Sequence, residues 1–151
     1  MVTAGQVLPW MLLAAAAGGL GAAARFLMDG EIRLRWRGAL PLSTLVINVA
    51  GSLLLGLTCG LVGTLPTPSL VALVSETTTP TAAISSDPWT LGVALALVGF
   101  CGGFTTFSTA MYEVTQLLLN RRTWMAVGYW VGSAGAAVIA VVLGMMSGAQ
   151  L

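Results

Sequence analysis

The sequence predicts an all-α membrane protein of four transmembrane helices, and three observations predict it. Of 151 residues, 57% are hydrophobic and only 7% are charged, against about 25% charged in an average soluble domain. That is too little polar surface to cover a soluble fold. The six arginines and five acids leave four charge-free runs, residues 1–24, 38–75, 88–112 and 123–151. Each is long enough for one helix of about 20 apolar residues. A net charge of +1 with no histidine excludes a basic nucleic-acid face and any histidine-based metal site or general base. Cys59 and Cys101 stand in apolar stretches, with no disulfide framework or metal-ligand spacing.

The first span is expected over residues 7–28. A cleaved signal peptide is the competing reading, but no Lys or Arg precedes the apolar core, as a signal peptide requires. The connection 29–40 carries Arg33, Arg35 and Arg37 around Trp36, the residue types that anchor a chain at the headgroups.

The second span, 42–63, holds Asn48 in its middle with no other strongly polar neighbour. A carboxamide in hydrocarbon must face protein or a polar path. Its NH₂ offers two donors, which suits an anion; an interhelical hydrogen bond is the plainer alternative. The linker 64–88 contains four Pro and ten Ser or Thr, too polar to order itself by burial, and is expected to be mobile. Gly56/Gly60 and Gly128/Gly132 are small-xxx-small pairs. They let helices approach closely in lipid, within one subunit or between two.

The third span, 89–119, is longer than a bilayer needs. Its centre reads GFCGGFTTFST over residues 99–109. Glycines and a Thr/Ser run are poor choices for a continuous helix, so a break is expected near residues 102–106, at mid-membrane. Such backbone is tolerated only where protein, water or an ion satisfies it, and broken helices are a recurrent way to build ion sites. A simple packing kink is the alternative. The fourth span, 123–146, adds Tyr129 and Ser133 at i, i+4 spacing. Together these residues outline a narrow path of neutral donors, with the electropositive edges of phenylalanine rings beside it. Weak multi-site binding without a fixed charge is what conduction of a small hydrated anion needs.

These residues resemble the Fluc (CrcB) fluoride channels. The resemblance rests on GGLGAAARF at 18–26, PLSTLVINVAG at 41–51, the 99–109 motif followed by Glu113, and the Tyr129/Ser133 spacing. It covers nearly the whole chain except the 64–88 linker. It implies a four-helix subunit that pairs antiparallel into a dimer with two pores, through which fluoride leaves the cell passively and toxicity is relieved. It also implies a structural Na⁺ on the dimer axis, held here by the backbone carbonyls of Gly102 and Thr105. By motif match Phe107 is the fluoride-contacting ring and Asn48 the pore amide. Thr44, Thr106, Ser108, Tyr129 and Ser133 line or flank the polar track, and Arg25 is the vestibule arginine at the end of the first helix. Three features depart from the pattern. The family's second pore phenylalanine is Ala110, hydroxyl positions of the fourth helix are Ala137 and Val141, and the second linker is long.

Two other readings compete with a channel. A small drug/proton antiporter needs a carboxylate in the first span, and residues 7–27 contain none. A non-conducting scaffold gives Asn48 and Phe107 no special role. No nucleophile–base pair can be assembled, so an enzyme is not expected. All six arginines fall on the side of the 29–40 and 120–123 connections. By the positive-inside rule that side is cytoplasmic in the cell membrane, with both termini outside. So strong a bias predicts an antiparallel heterodimer with a homologue of opposite orientation, with the homodimer as the alternative.

Overall fold

The structure, a computed structural model, describes residues 4–36, 38, 40–64 and 88–150. Arg37 and almost all of the 64–88 linker lie outside the described residues. Among the described residues five helices follow in order: α1 (Ala4–Arg35), α2 (Leu42–Thr64), α3 (Pro88–Phe104), α4 (Phe107–Leu119) and α5 (Thr123–Gly148). No strand occurs among the described residues. By length and hydropathy they make four candidate membrane spans, Leu8–Arg35, Leu42–Leu61, Gly92–Leu119 and Thr123–Gly148. The chain is therefore an all-helical, multi-pass membrane protein. The third span is shared by α3 and α4.

Helices are the only open-ended elements that satisfy every backbone group inside lipid. The ends of these helices have local causes. Pro88 opens α3, where its missing N–H costs nothing. The α4–α5 turn closes as a Schellman motif: the Arg122 amide donates to the Leu117 carbonyl and the Arg121 amide to the Leu118 carbonyl, both at 2.9 Å. Arg121 takes the left-handed position of that motif, with φ 57°, where glycine is the usual occupant.

The first helix outruns its expected end at residue 28. Residues 29–35 are helix rather than connection, because ion pairs of i, i+4 spacing carry it on: Asp29 with Arg33 at 2.9 Å, and Glu31 with Arg35. Arg25 therefore lies within α1, ten residues before its end, and not at a helix terminus. The connection that remains is short, and the Trp36 indole N–H folds it by donating to the Leu40 carbonyl at 3.0 Å.

The helices pack chiefly in two pairs, α1 on α3 and α2 on α5, with α2 also contacting α3. Glycines set both seams. A Cβ on Gly56 would collide with the Val141 carbonyl of α5, and one on Gly103 with the Gly18 carbonyl of α1. The Gly56/Gly60 pair thus works within the subunit. Gly128 and Gly132 meet nothing within 4 Å and leave an open face. Ile47 and Thr44 are the largest fully buried side chains among the described residues, and Leu117, Ala126 and Tyr129 form a core where α4 turns into α5. Leu20, Phe26, Val138 and Trp124 are exposed, as lipid-facing residues of a membrane protein should be.

Candidate functional site

The third span breaks at Thr105 and Thr106, the two residues between α3 and α4. The expected break began at Gly102, but residues 102–104 remain helical. Gly103 serves the close α1–α3 seam while Gly102 meets nothing within 4 Å, and the interruption is narrower than the glycine run.

Thr106 has an extended backbone, φ −149° and ψ 120°, and caps α4. Its Oγ1 accepts the Thr109 amide at 3.3 Å and lies 3.0 Å from the Thr109 hydroxyl and 3.3 Å from the Ser108 hydroxyl. This is N-capping of the usual kind. Its peptide groups are held from α2. Asn48 Nδ2 donates to the Thr106 carbonyl at 2.9 Å, and the Thr106 amide donates to Asn48 Oδ1 at 2.8 Å. Gly51, one turn on from Asn48, lets α2 come this close, because a Cβ there would collide with the Thr105 methyl.

The clamp has a consequence for two carbonyls. In a continuous helix the Gly102 carbonyl would take the Thr106 amide and the Thr105 carbonyl the Thr109 amide. Here the first amide goes to Asn48 and the second to the Thr106 hydroxyl. The break thus deprives the Gly102 and Thr105 carbonyls of their helical donors, as it does those of Gly103 and Phe104.

A cavity of about 390 Å³ opens beside the break. Of the residues singled out in the sequence, Asn48, Gly102, Thr105, Thr106, Phe107 and Ser133 line it, together with Ala110 and Ala137. No charged side chain is in its wall. Phe107 is 74% exposed, with its ring at the cavity's open side. Ser52 also lines it. It was missed in the sequence, although its i+4 spacing from Asn48 could have found it. Ser108 and Val141 are not in the wall: Ser108 is exposed beside the Thr106 cap, and Val141 lies against Gly56.

Thr44 and Tyr129 do not join this cavity. They are buried with Glu113, which accepts the Thr44 hydroxyl at 2.8 Å, the Tyr129 hydroxyl at 2.8 Å and Arg33 Nη2 at 3.2 Å. The shared face expected of Tyr129 and Ser133 therefore divides. The Tyr129 hydroxyl turns to Glu113, and the Ser133 hydroxyl donates to the Trp130 carbonyl at 3.1 Å. Glu113 was noted in the sequence only as following the motif. An acid within an apolar span is itself the signal of a paired group. Glu113 and Arg33 both line a second cavity of about 570 Å³ at the turn end of the bundle. Arg25 is partly buried, and its Nε has no hydrogen-bond partner among the described residues.

A four-span bundle with one span opened beside an uncharged, mostly apolar cavity defines a small integral membrane protein built around a helix break. The family profile described as "CrcB-like protein, Camphor Resistance (CrcB)" matches residues 12–145. The chain is 38% identical over 142 residues to fluoride-specific ion channel FluC 2 of Cutibacterium acnes, covering 93% of this chain and 98% of that one. It is 36% identical over 137 residues to fluoride-specific ion channel FluC 3 of Bifidobacterium longum, covering 89% and 94%. To fluoride-specific ion channel FluC of Gloeothece citriformis it is 32% identical over 136 residues, covering 89% and 93%. The chain belongs to the CrcB family.

Proposed function

We propose that this chain is a subunit of a fluoride-selective ion channel through which fluoride leaves the cell passively, lowering its toxicity in the cytoplasm. The observation that carries the reading is the Asn48–Thr106 clamp at the wall of the uncharged cavity. The carboxamide commits its oxygen and one N–H to Thr106. Its second N–H is left for an anion. The Ser52 hydroxyl and the edge of the Phe107 ring supply further weak positive ends along the same wall. None is a fixed charge, so an ion is bound loosely enough to leave. The relatives' names supply the identity of the ion.

The channel works as an antiparallel dimer. Phe107 stands open on one chain, and the unpacked Gly128/Gly132 face offers a close approach for a second. A structural Na⁺ would be held by the Gly102 and Thr105 carbonyls. The fit is chemical: hard cations prefer oxygen ligands, and these two carbonyls have lost their helical donors. Two oxygens are too few for such an ion, so the second subunit completes the set. The subunit sits in the cell membrane with the Arg33 and Arg122 end in the cytoplasm and both termini outside.

Purified protein reconstituted into liposomes tests the function. Alone or with a homologous partner, it should release fluoride, read with a fluoride electrode, and retain chloride. Absence of fluoride efflux from folded protein in both preparations would refute it. The scaffold reading predicts that result.

A further inference from the structure

At the turn end of the bundle, the second cavity brings together the two connections that carry the arginines. Arg33 from α1 and Arg122 from the α4–α5 turn both line it, with Tyr112, Gln116 and Asn120 between them. The charges are unequal in their commitments. Arg33 is held by Asp29 and Glu113. Arg122 has no acid within ion-pair distance among the described residues, and neither does its neighbour Arg121. The Tyr112 hydroxyl has no hydrogen-bond partner among the described residues, and the Asn120 amide gives one N–H to the Gln116 carbonyl. The cavity thus holds a guanidinium without an acid partner, with neutral donors beside it and Glu113, paired with Arg33, in the same wall. Close in sequence to its lining residues, Leu34, Leu119 and Trp124 are 76%, 72% and 89% exposed. Trp36 stands on the first connection and Trp124 in the first turn of α5, in the place of interfacial anchors.

We infer that this cavity is a headgroup site for an anionic phospholipid, with Arg122 on the phosphate and the neutral donors on the headgroup. Basic pockets between transmembrane helices bind anionic headgroups in this way. The lipid would tie the turn to one leaflet. The inference depends only on the chain lying in a membrane, not on which ion it conducts.

Native mass spectrometry of the delipidated full chain, offered phosphatidylglycerol and phosphatidylcholine in equal amounts, tests it. Wild type should retain phosphatidylglycerol about fivefold over phosphatidylcholine, the worth of one arginine at an anionic surface. Arg122→Gln should abolish the preference, while Arg122→Lys should keep most of it and so shows that loss reflects charge rather than misfolding. Millimolar inorganic phosphate should not displace the lipid. Equal retention of the two lipids by wild type would overturn the inference. Displacement by phosphate would also overturn it, since the cavity would then be a small-anion site. A fall in fluoride efflux of Arg122→Gln that is the same in vesicles of either lipid would overturn it too, by making the cavity the mouth of the ion path.

Discussion

Asn48 holds Thr106 by both sides of its backbone, giving an N–H to the carbonyl at 2.9 Å and accepting the amide at 2.8 Å. One side chain on α2 therefore does the work that a helical turn would have done inside the third span. Interhelical bonds of this kind in membranes are worth about 0.6–2 kcal/mol each. The clamp turns an unstable interruption into a fixed one and leaves one amide hydrogen for the cavity.

Asn48→Asp keeps an acceptor for the Thr106 amide but sets a carboxylate against the Thr106 carbonyl and the anion path. Fluoride efflux should fall at least about tenfold, as 1.4 kcal/mol of added barrier suffices for that. The midpoint of thermal aggregation should also drop. Phe107→Ile keeps bulk without the ring edge. Its flux should fall with no change in that midpoint, because the ring is mostly exposed. Wild-type efflux in both variants would remove these residues from the path.

Glu113 carries a different burden. It is 8% exposed and accepts from Thr44, Tyr129 and Arg33, which belong to α2, α5 and α1. Glu113→Ala strands two buried hydroxyls, at a cost of about 1–3 kcal/mol for each unsatisfied group. Thermal stability in detergent should fall far more than for Glu113→Gln, which still accepts through its amide oxygen. Equal stability of the two variants would show that the network holds little.

How much of this was legible beforehand follows from what each signal measures. The four spans were, because apolar length alone decides them in lipid. The Thr105–Thr106 break could be placed to a few residues, since Thr and Ser at that spacing favour caps over helix interiors. The glycines misled: residues 102–104 stay helical because a partner helix lies against Gly103, and a packing partner is invisible in one sequence. Thr44 and Tyr129 were read as lining or flanking the polar track, and one sequence does not show what their hydroxyls meet. Their hydroxyls needed partners, but only three dimensions show that the nearest is Glu113. Arg25 was set at a helix end because the ion pairs that extend α1 to Arg35 run against the loss of apolar character.

If Gly102 and Thr105 hold Na⁺ through backbone oxygen, the side chain of Thr105 is dispensable for it. That hydroxyl donates to the Cys101 carbonyl at 2.9 Å and is already committed. Thr105→Ala should therefore retain Na⁺ within about twofold of wild-type affinity, whereas Asn48→Ala, which frees Thr106, should weaken it about tenfold or more, since loss of one buried bond costs about 1–3 kcal/mol. Isothermal titration of the assembled protein with NaCl, or ²²Na⁺ retention, reads both. Loss of Na⁺ in Thr105→Ala alone would place the hydroxyl, not the carbonyl, at the ion.

Arg121 sits in the left-handed region at φ 57°, a conformation that costs a side-chain-bearing residue about 1–2 kcal/mol. Arg121→Gly should relieve part of that cost, offset by glycine's greater freedom in the unfolded chain. A rise of a few degrees in the aggregation midpoint with unchanged fluoride efflux is the expected outcome. A fall would mean that the arginine makes a contact worth more than the strain.

The arginines also bear on how the chain inserts. Arg33 and Arg122 line one cavity, so the first connection and the α4–α5 turn share one end of the bundle. Ser147, near the C-terminus of α5, belongs to the other. The six arginines of the chain all belong to the first end or the helix leading to it, and the chain has no lysine. Short connections with that bias are retained in the cytoplasm. A subunit that forms an antiparallel dimer with itself must insert both ways, and a chain that does so should carry nearly balanced positive charge. The expected arrangement is a fixed orientation, with a homologue of opposite bias as the antiparallel partner. Ala110 and Ala137, both in the cavity wall, fit it: one of two pores can lose a ring and a hydroxyl while a partner's residues maintain the other. Single cysteines at Ser147 and Gly30, in a background with Cys59 and Cys101 replaced, would be labelled in intact cells with a membrane-impermeant maleimide. Labelling of Ser147→Cys alone is expected, with Gly30→Cys reacting only after lysis. Equal reaction of both in intact cells would establish dual insertion, and the dimer would then be built from two copies of this chain.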